Sequence, residues 1–87
     1  MTYEILYKKE AAKYLAGLDR PTRDRIRSAI NELAYTPPSG DIVPMEGMAD
    51  HYRLRIGPYR IIFKVNHSEQ FIYVRTIAPR GDAYKRR

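Results

Sequence analysis

The stretch Tyr52-Arg53-Leu54-Arg55-Ile56-Gly57-Pro58-Tyr59-Arg60-Ile61-Ile62-Phe63-Lys64-Val65 decides the fold. Two runs rich in β-branched and aromatic residues flank Gly57-Pro58, and a two-residue loop that opens on glycine suits a tight type II′ hairpin. That turn sets Ile56 opposite Tyr59, Arg55 opposite Arg60, Leu54 opposite Ile61 and Arg53 opposite Ile62. Side chains alternate between faces along a strand. One face therefore carries Tyr52, Leu54, Ile56, Tyr59, Ile61, Phe63 and Val65, a core surface. The other carries Arg53, Arg55, Arg60 and Lys64, with Ile62 among them.

Working outward, Gln70–Ala78 reads as a third strand that extends the sheet, and Arg75 joins the basic face. Towards the N-terminus, residues 2–7 are β-formers and predict a short strand. From Lys9 the period changes: Ala11, Tyr14, Leu15 and Leu18 fall on one face of a helix of about three turns. Asp19-Arg20-Pro21 breaks it, and Pro21 suits the start of a second helix, with Ile26, Ile30, Leu33 and Ala34 as its apolar stripe. Residues 36–50 hold three of the six prolines and two of the five glycines and read as a connecting loop. Ile42, Val43, Met45 and Met48 are expected to pin that loop to the core, and Tyr3, Tyr7 and Tyr14 to sit in the core or at its edge. The predicted order is β-α-α-β-β-β over residues 1–87. It makes one small α+β domain with an antiparallel sheet and two helices on its apolar face.

Composition bounds the function. A hydrophobic content of 44% is that of a folded chain rather than a disordered one. The absence of cysteine excludes disulfides, thiol catalysis and cysteine-based zinc sites. No apolar run approaches the roughly 20 residues of a membrane span. The opening Met-Thr-Tyr-Glu-Ile-Leu-Tyr-Lys-Lys-Glu is too charged for a signal peptide. A cytoplasmic protein is the expectation, with no membrane partner.

Charge is unevenly placed. Residues 51–87 hold nine of the sixteen Lys and Arg against two acids, a net of +7, whereas residues 1–50 hold seven against eight, a net of −1. Tyr52, Tyr59, Tyr73 and Tyr84 are interleaved with that charge. Arginine and tyrosine mixed on one compact module suit a phosphate-rich polymer, above all RNA. Like charges directly opposite one another destabilise a hairpin, so Arg55 against Arg60 is a repulsion that an anionic partner relieves. A solvated face that discourages edge-to-edge association is the bland alternative.

These motifs resemble the RelE/ParE superfamily of bacterial toxin–antitoxin toxins, and the RelE branch in particular. The resemblance covers nearly the whole chain. It rests most on Met45-Glu46-Gly47-Met48, on Tyr52–Phe63, and on the closing Ala78-Pro79-Arg80-Gly81-Asp82-Ala83-Tyr84-Lys85. It implies a toxin that cuts mRNA in the ribosomal A site, and no cofactor is expected. Arg53 and Arg55 match a basic pair that is often lysine in the family, Arg60 matches the arginine after the tyrosine of the next strand, Arg80 a C-terminal arginine, and Tyr84 the C-terminal tyrosine. Many relatives place a histidine just before that arginine, whereas Pro79 stands here. The implied partners are the ribosome with its mRNA and a small, acidic, partly disordered antitoxin through which alone operator DNA would be met. ParE-type relatives share the fold but poison DNA gyrase, and an RNA-binding relative without catalysis would carry the same charge.

Cleavage by the RNA's own 2′-OH needs a proton removed, a dianionic phosphorane stabilised and the 5′ oxygen protonated. Guanidinium forks suit the second task. The resemblance thus places Arg55, Arg60, Arg80 and Tyr84 at the chemistry and Arg53 along the RNA, and the basic face and tail add Lys64, Arg75 and Lys85 as further RNA contacts. Tyrosine titrates near pH 10, so Tyr84 needs its cationic surroundings to act as a base. His51 and His67 are expected at the surface, outside catalysis. No cluster has metal-ligand spacing.

Overall fold

The structure is a computed structural model that describes residues 3–35 and 42–79. In chain order the elements are β1 (Glu4–Tyr7), α1 (Lys9–Ala16), α2 (Arg20–Glu32), β2 (Ile42–Pro44), β3 (His51–Ile56), β4 (Tyr59–Asn66) and β5 (Phe71–Pro79). The strands form one sheet in the order β1-β5-β4-β3-β2. The α+β class holds, and the two helices cover the apolar face.

Local chemistry explains both helices. In α1, Ala11 and Leu15 point inward, and the helix ends at Gly17 after two turns rather than three, so Leu18 packs from the connecting bend. Asp19 caps α2, its carboxylate accepting from the Thr22 amide at 3.4 Å. Hydrogen bonding to Thr22, from its side chain first and its amide second, holds the Asp19 carboxyl below its ordinary range. Pro21 sits in the first turn, where its missing amide costs nothing. Ile26 and Ile30 are fully buried, and Leu33 and Ala34 extend the stripe past the helix end.

The hairpin follows its turn. Gly57 has φ +53°, which proline at the next position and glycine here both permit. Ile56 pairs with Tyr59, Arg55 with Arg60, Leu54 with Ile61 and Arg53 with Ile62. Leu54, Ile61, Phe63 and Val65 join the helix residues and Ile72, Val74 and Ile77 in one core. Tyr52 stacks on Phe63 at 5.7 Å between centroids, and Tyr3, Tyr7 and Tyr14 pack at the margin. Burial raises the Tyr7 phenol above its ordinary range, with Arg27 opposing.

Three features depart from the sequence reading. First, β1 pairs with β5 in parallel, so the sheet is mixed rather than wholly antiparallel. Second, part of the supposed loop is the short edge strand β2, antiparallel to β3. Three residues ending in proline carry no period, and proline is tolerated at an edge. Ile42 packs on the core as expected, but Val43 and Met48 are 42% and 41% exposed rather than pinned. Val43 lies opposite Arg53, so alternation turns it to the outer face. Third, β5 carries a bulge: Ile62 pairs with Thr76 and Phe63 with Val74, leaving Arg75 as the extra residue. The bulge shifts the alternation so that Ile77 enters the core after Val74, and Thr76 does not.

Candidate nucleic-acid interface

The outer face of the central strands collects cations by register alone. On β3 the outward positions are His51, Arg53 and Arg55, and on β4 they are Arg60, Ile62, Lys64 and Asn66. Across the ladders His51 pairs with Lys64, and Lys64 with Tyr73 of β5. Arg55 pairs with Arg60, and Arg60 with Ala78. The bulge aims Arg75 back over β4, where its Nη1 donates to His51 Nε2 at 3.2 Å. The face thus gathers Arg53, Arg55, Arg60, Lys64 and Arg75, as the alternation predicted. Arg80, Tyr84 and Lys85 lie outside the described residues. No acid occupies an outward position of β3, β4 or β5, and Glu4 stands at the far corner, on the edge strand β1.

These cations differ in setting. Arg53 and Arg55 are exposed, whereas Arg60, Lys64 and Arg75 are half-buried. Among the described residues, Arg60 Nε is buried without a hydrogen-bond partner. Leaving a charged donor unpaired costs free energy, so this guanidinium favours an incoming anion. All five side chains project from adjacent strands of one sheet.

His51 was expected at the surface and is not there. It is only 9% exposed at the first residue of β3, with its ring hydrogen-bonded on both nitrogens. Its Nδ1 donates to the Ala49 carbonyl at 2.9 Å. Extending the hairpin alternation by one residue would have placed it with Arg53 and Arg55. His67 is exposed, as expected, and its Nδ1 is hydrogen-bonded to the Tyr3 hydroxyl at 3.0 Å.

The family follows from comparison with known proteins. The model of the ParE toxin of the type II toxin–antitoxin system, parDE, matches residues 5–84. The toxin fold in the archaeal RelE–RelB complex from Pyrococcus horikoshii superposes with a TM-score of 0.80 at 32% identity, over 93% of this chain and 98% of that one. The RelB–RelE antitoxin–toxin complex from Methanococcus jannaschii gives a TM-score of 0.73 at 28% identity, over 92% and 95%. The isolated Escherichia coli RelE toxin shares the fold, with a TM-score of 0.78 at 20% identity over 95% and 92%. The chain belongs to the RelE/ParE superfamily of type II toxin–antitoxin toxins. Among the described residues no helix is long and apolar enough to cross a membrane.

Proposed function

We propose that this toxin is a ribosome-dependent endoribonuclease that cuts mRNA in the A site through attack of the 2′-OH on the scissile phosphate. The observation that carries the reading is the outer face itself: five cations on three adjacent strands, two of them directly opposed arginines. Such a face suits an RNA backbone. Arg60 would neutralise the phosphorane with Arg80, each preorganised donor being worth about 10²–10³ in rate. Arg55 would act beside them, while Arg53, Lys64, Arg75 and Lys85 hold the flanking phosphates. Tyr84 would stack on a base or move the proton.

Arginine does not titrate near neutrality, so the reading assigns alignment of the mRNA to the ribosome, which supplies an in-line geometry. The partner that restrains the toxin is an antitoxin with an acidic, partly disordered segment covering this face. Fast, salt-sensitive association would follow from such charge complementarity. The setting is the cytoplasm, where ribosomes are.

A second reading has one observation in its favour, the ParE description of the matching family model: a non-enzymatic inhibitor of DNA gyrase. Primer extension on a defined mRNA, with and without translating ribosomes, separates the two. New 5′ ends at A-site codons, seen only with ribosomes and lost in Arg60→Ala, support the nuclease. No cleavage by folded protein, together with inhibited supercoiling by gyrase, overturns it.

A further inference from the structure

One pair on the basic face has a role that phosphate contacts alone do not explain, His51 with Arg75. A carbonyl oxygen can only accept and a guanidinium can only donate. The Ala49 carbonyl therefore requires the proton on His51 Nδ1, and Arg75 requires a lone pair on Nε2. Both partners have fixed roles, so the imidazole is neutral and in a single tautomer when it holds Arg75.

The backbone fixes the ring. The Met45 amide donates to the His51 carbonyl at 2.9 Å, the His51 amide to the Met48 carbonyl at 3.2 Å, and the Val65 amide to the Asp50 carbonyl at 2.9 Å. Asp50 holds φ +61°, a left-handed conformation that aspartate tolerates better than most residues. With its backbone so tied and its ring buried, His51 is the fixed member of the pair, and the longer Arg75 side chain is the one that can move.

We infer that His51 is a positioning residue for Arg75, and that a phosphodiester arriving at this sector of the face brings a proton to His51. The inference rests on the RNA-binding reading above. Other groups surround the ring: Lys64 lies opposite on β4, Tyr73 beyond it on β5, Arg53 two residues along β3, and the exposed Glu46 and Asp50 in the turn before the strand. A proton on Nε2 would set a second cation against the Arg75 guanidinium, unless an anion enters between them. A phosphate oxygen accepts from both. The bound state then holds one more proton than the free state, and by linkage affinity rises as pH falls. Histidine is the side chain that changes charge between about pH 5 and 8.

The test is fluorescence anisotropy of a labelled oligouridylate with the purified chain, at constant low ionic strength from pH 8 to pH 5.5. Uracil does not titrate in that range. Binding by the wild type tightens as pH falls, with a limiting slope of about tenfold per pH unit for uptake of a single proton. His51→Gln, whose amide oxygen still accepts from Arg75 but cannot ionise, shows a flat profile. His51→Ala binds more weakly than His51→Gln throughout, because Arg75 loses its anchor. His67→Gln keeps the wild-type slope. An unchanged slope in His51→Gln overturns the inference and leaves the RNA reading standing, whereas no binding by folded wild type at any pH overturns both. Long-range ¹H–¹⁵N NMR of the wild-type rings at pH 8 gives a test that needs no variant. It should show His51 protonated on Nδ1, and an Nε2-protonated ring would sink the inference.

Discussion

Arg55 and Arg60 stand directly opposite one another on the β3–β4 ladder, on the face turned away from the core. In an antiparallel pair such positions hold Cβ atoms roughly 4.5–5.5 Å apart. Among the described residues, the same Arg60 keeps its Nε buried without a partner.

Replacing one of the opposed charges should therefore stabilise the fold while weakening the proposed mRNA cleavage. Arg60→Gln keeps most of the stem and deletes the charge. We expect a gain of up to about 1 kcal/mol, read as a higher urea midpoint at unchanged slope. Added salt should shrink the gain by screening the wild-type repulsion. A lower midpoint would mean that packing of the arginine stem outweighs the charge.

Binding of single-stranded RNA should be strongly salt-dependent. If all five cations on the described face meet phosphates, the slope of log affinity against log salt approaches about −3.5, from about −0.7 per contact. Lys64→Ala should reduce that slope by about 0.7. A titration in potassium chloride measures both. A slope near zero would remove the face from RNA binding.

Gly57 is the residue on which the hairpin turns. Its φ of +53° disfavours any Cβ, and a Cβ there would lie 3.2 Å from Arg25 Nη1 on α2. The arginine end can shift, so the backbone dominates. Gly57→Ala should cost about 1–2 kcal/mol, seen as a lower thermal midpoint. No loss would argue against the type II′ turn.

Asp19 couples the second helix to pH. Its carboxyl is held below the ordinary range by hydrogen bonding to Thr22, so the folded state favours the charged form. The stabilisation is present above the ordinary aspartate range and is lost as pH falls through the lowered folded value. Asp19→Ala should therefore be less stable than wild type at pH 7. The difference should close in strong acid, where the wild-type carboxyl is protonated too. Urea unfolding at both pH values checks the sign, and a gap that persists in acid would give Asp19 a role other than its charge.

Much of this molecule is legible within short windows of chain. Gly57-Pro58 sets the register of the six facing pairs of the hairpin, the alternation around it separates core from basic face, and Asp19 with Pro21 marks where the second helix starts. Each of these signals acts between residues a few positions apart, where turn chemistry and side-chain period govern. The resemblance carried by Arg53, Arg55 and Arg60 could be read for the same reason.

Other features depend on which distant segments meet. The N-terminal strand pairs in parallel with the last one, Glu4 with Phe71, a choice made by covering the sheet and not by either segment's own pattern. The bulge at Arg75 exists because both Val74 and Ile77 are buried, and strict alternation cannot bury both. That one extra residue sends Arg75 across to His51, 24 residues away in sequence. The cations themselves could be read along the chain. The histidine held among them came from tertiary packing, because burial and hydrogen bonding between distant strands leave no period to read.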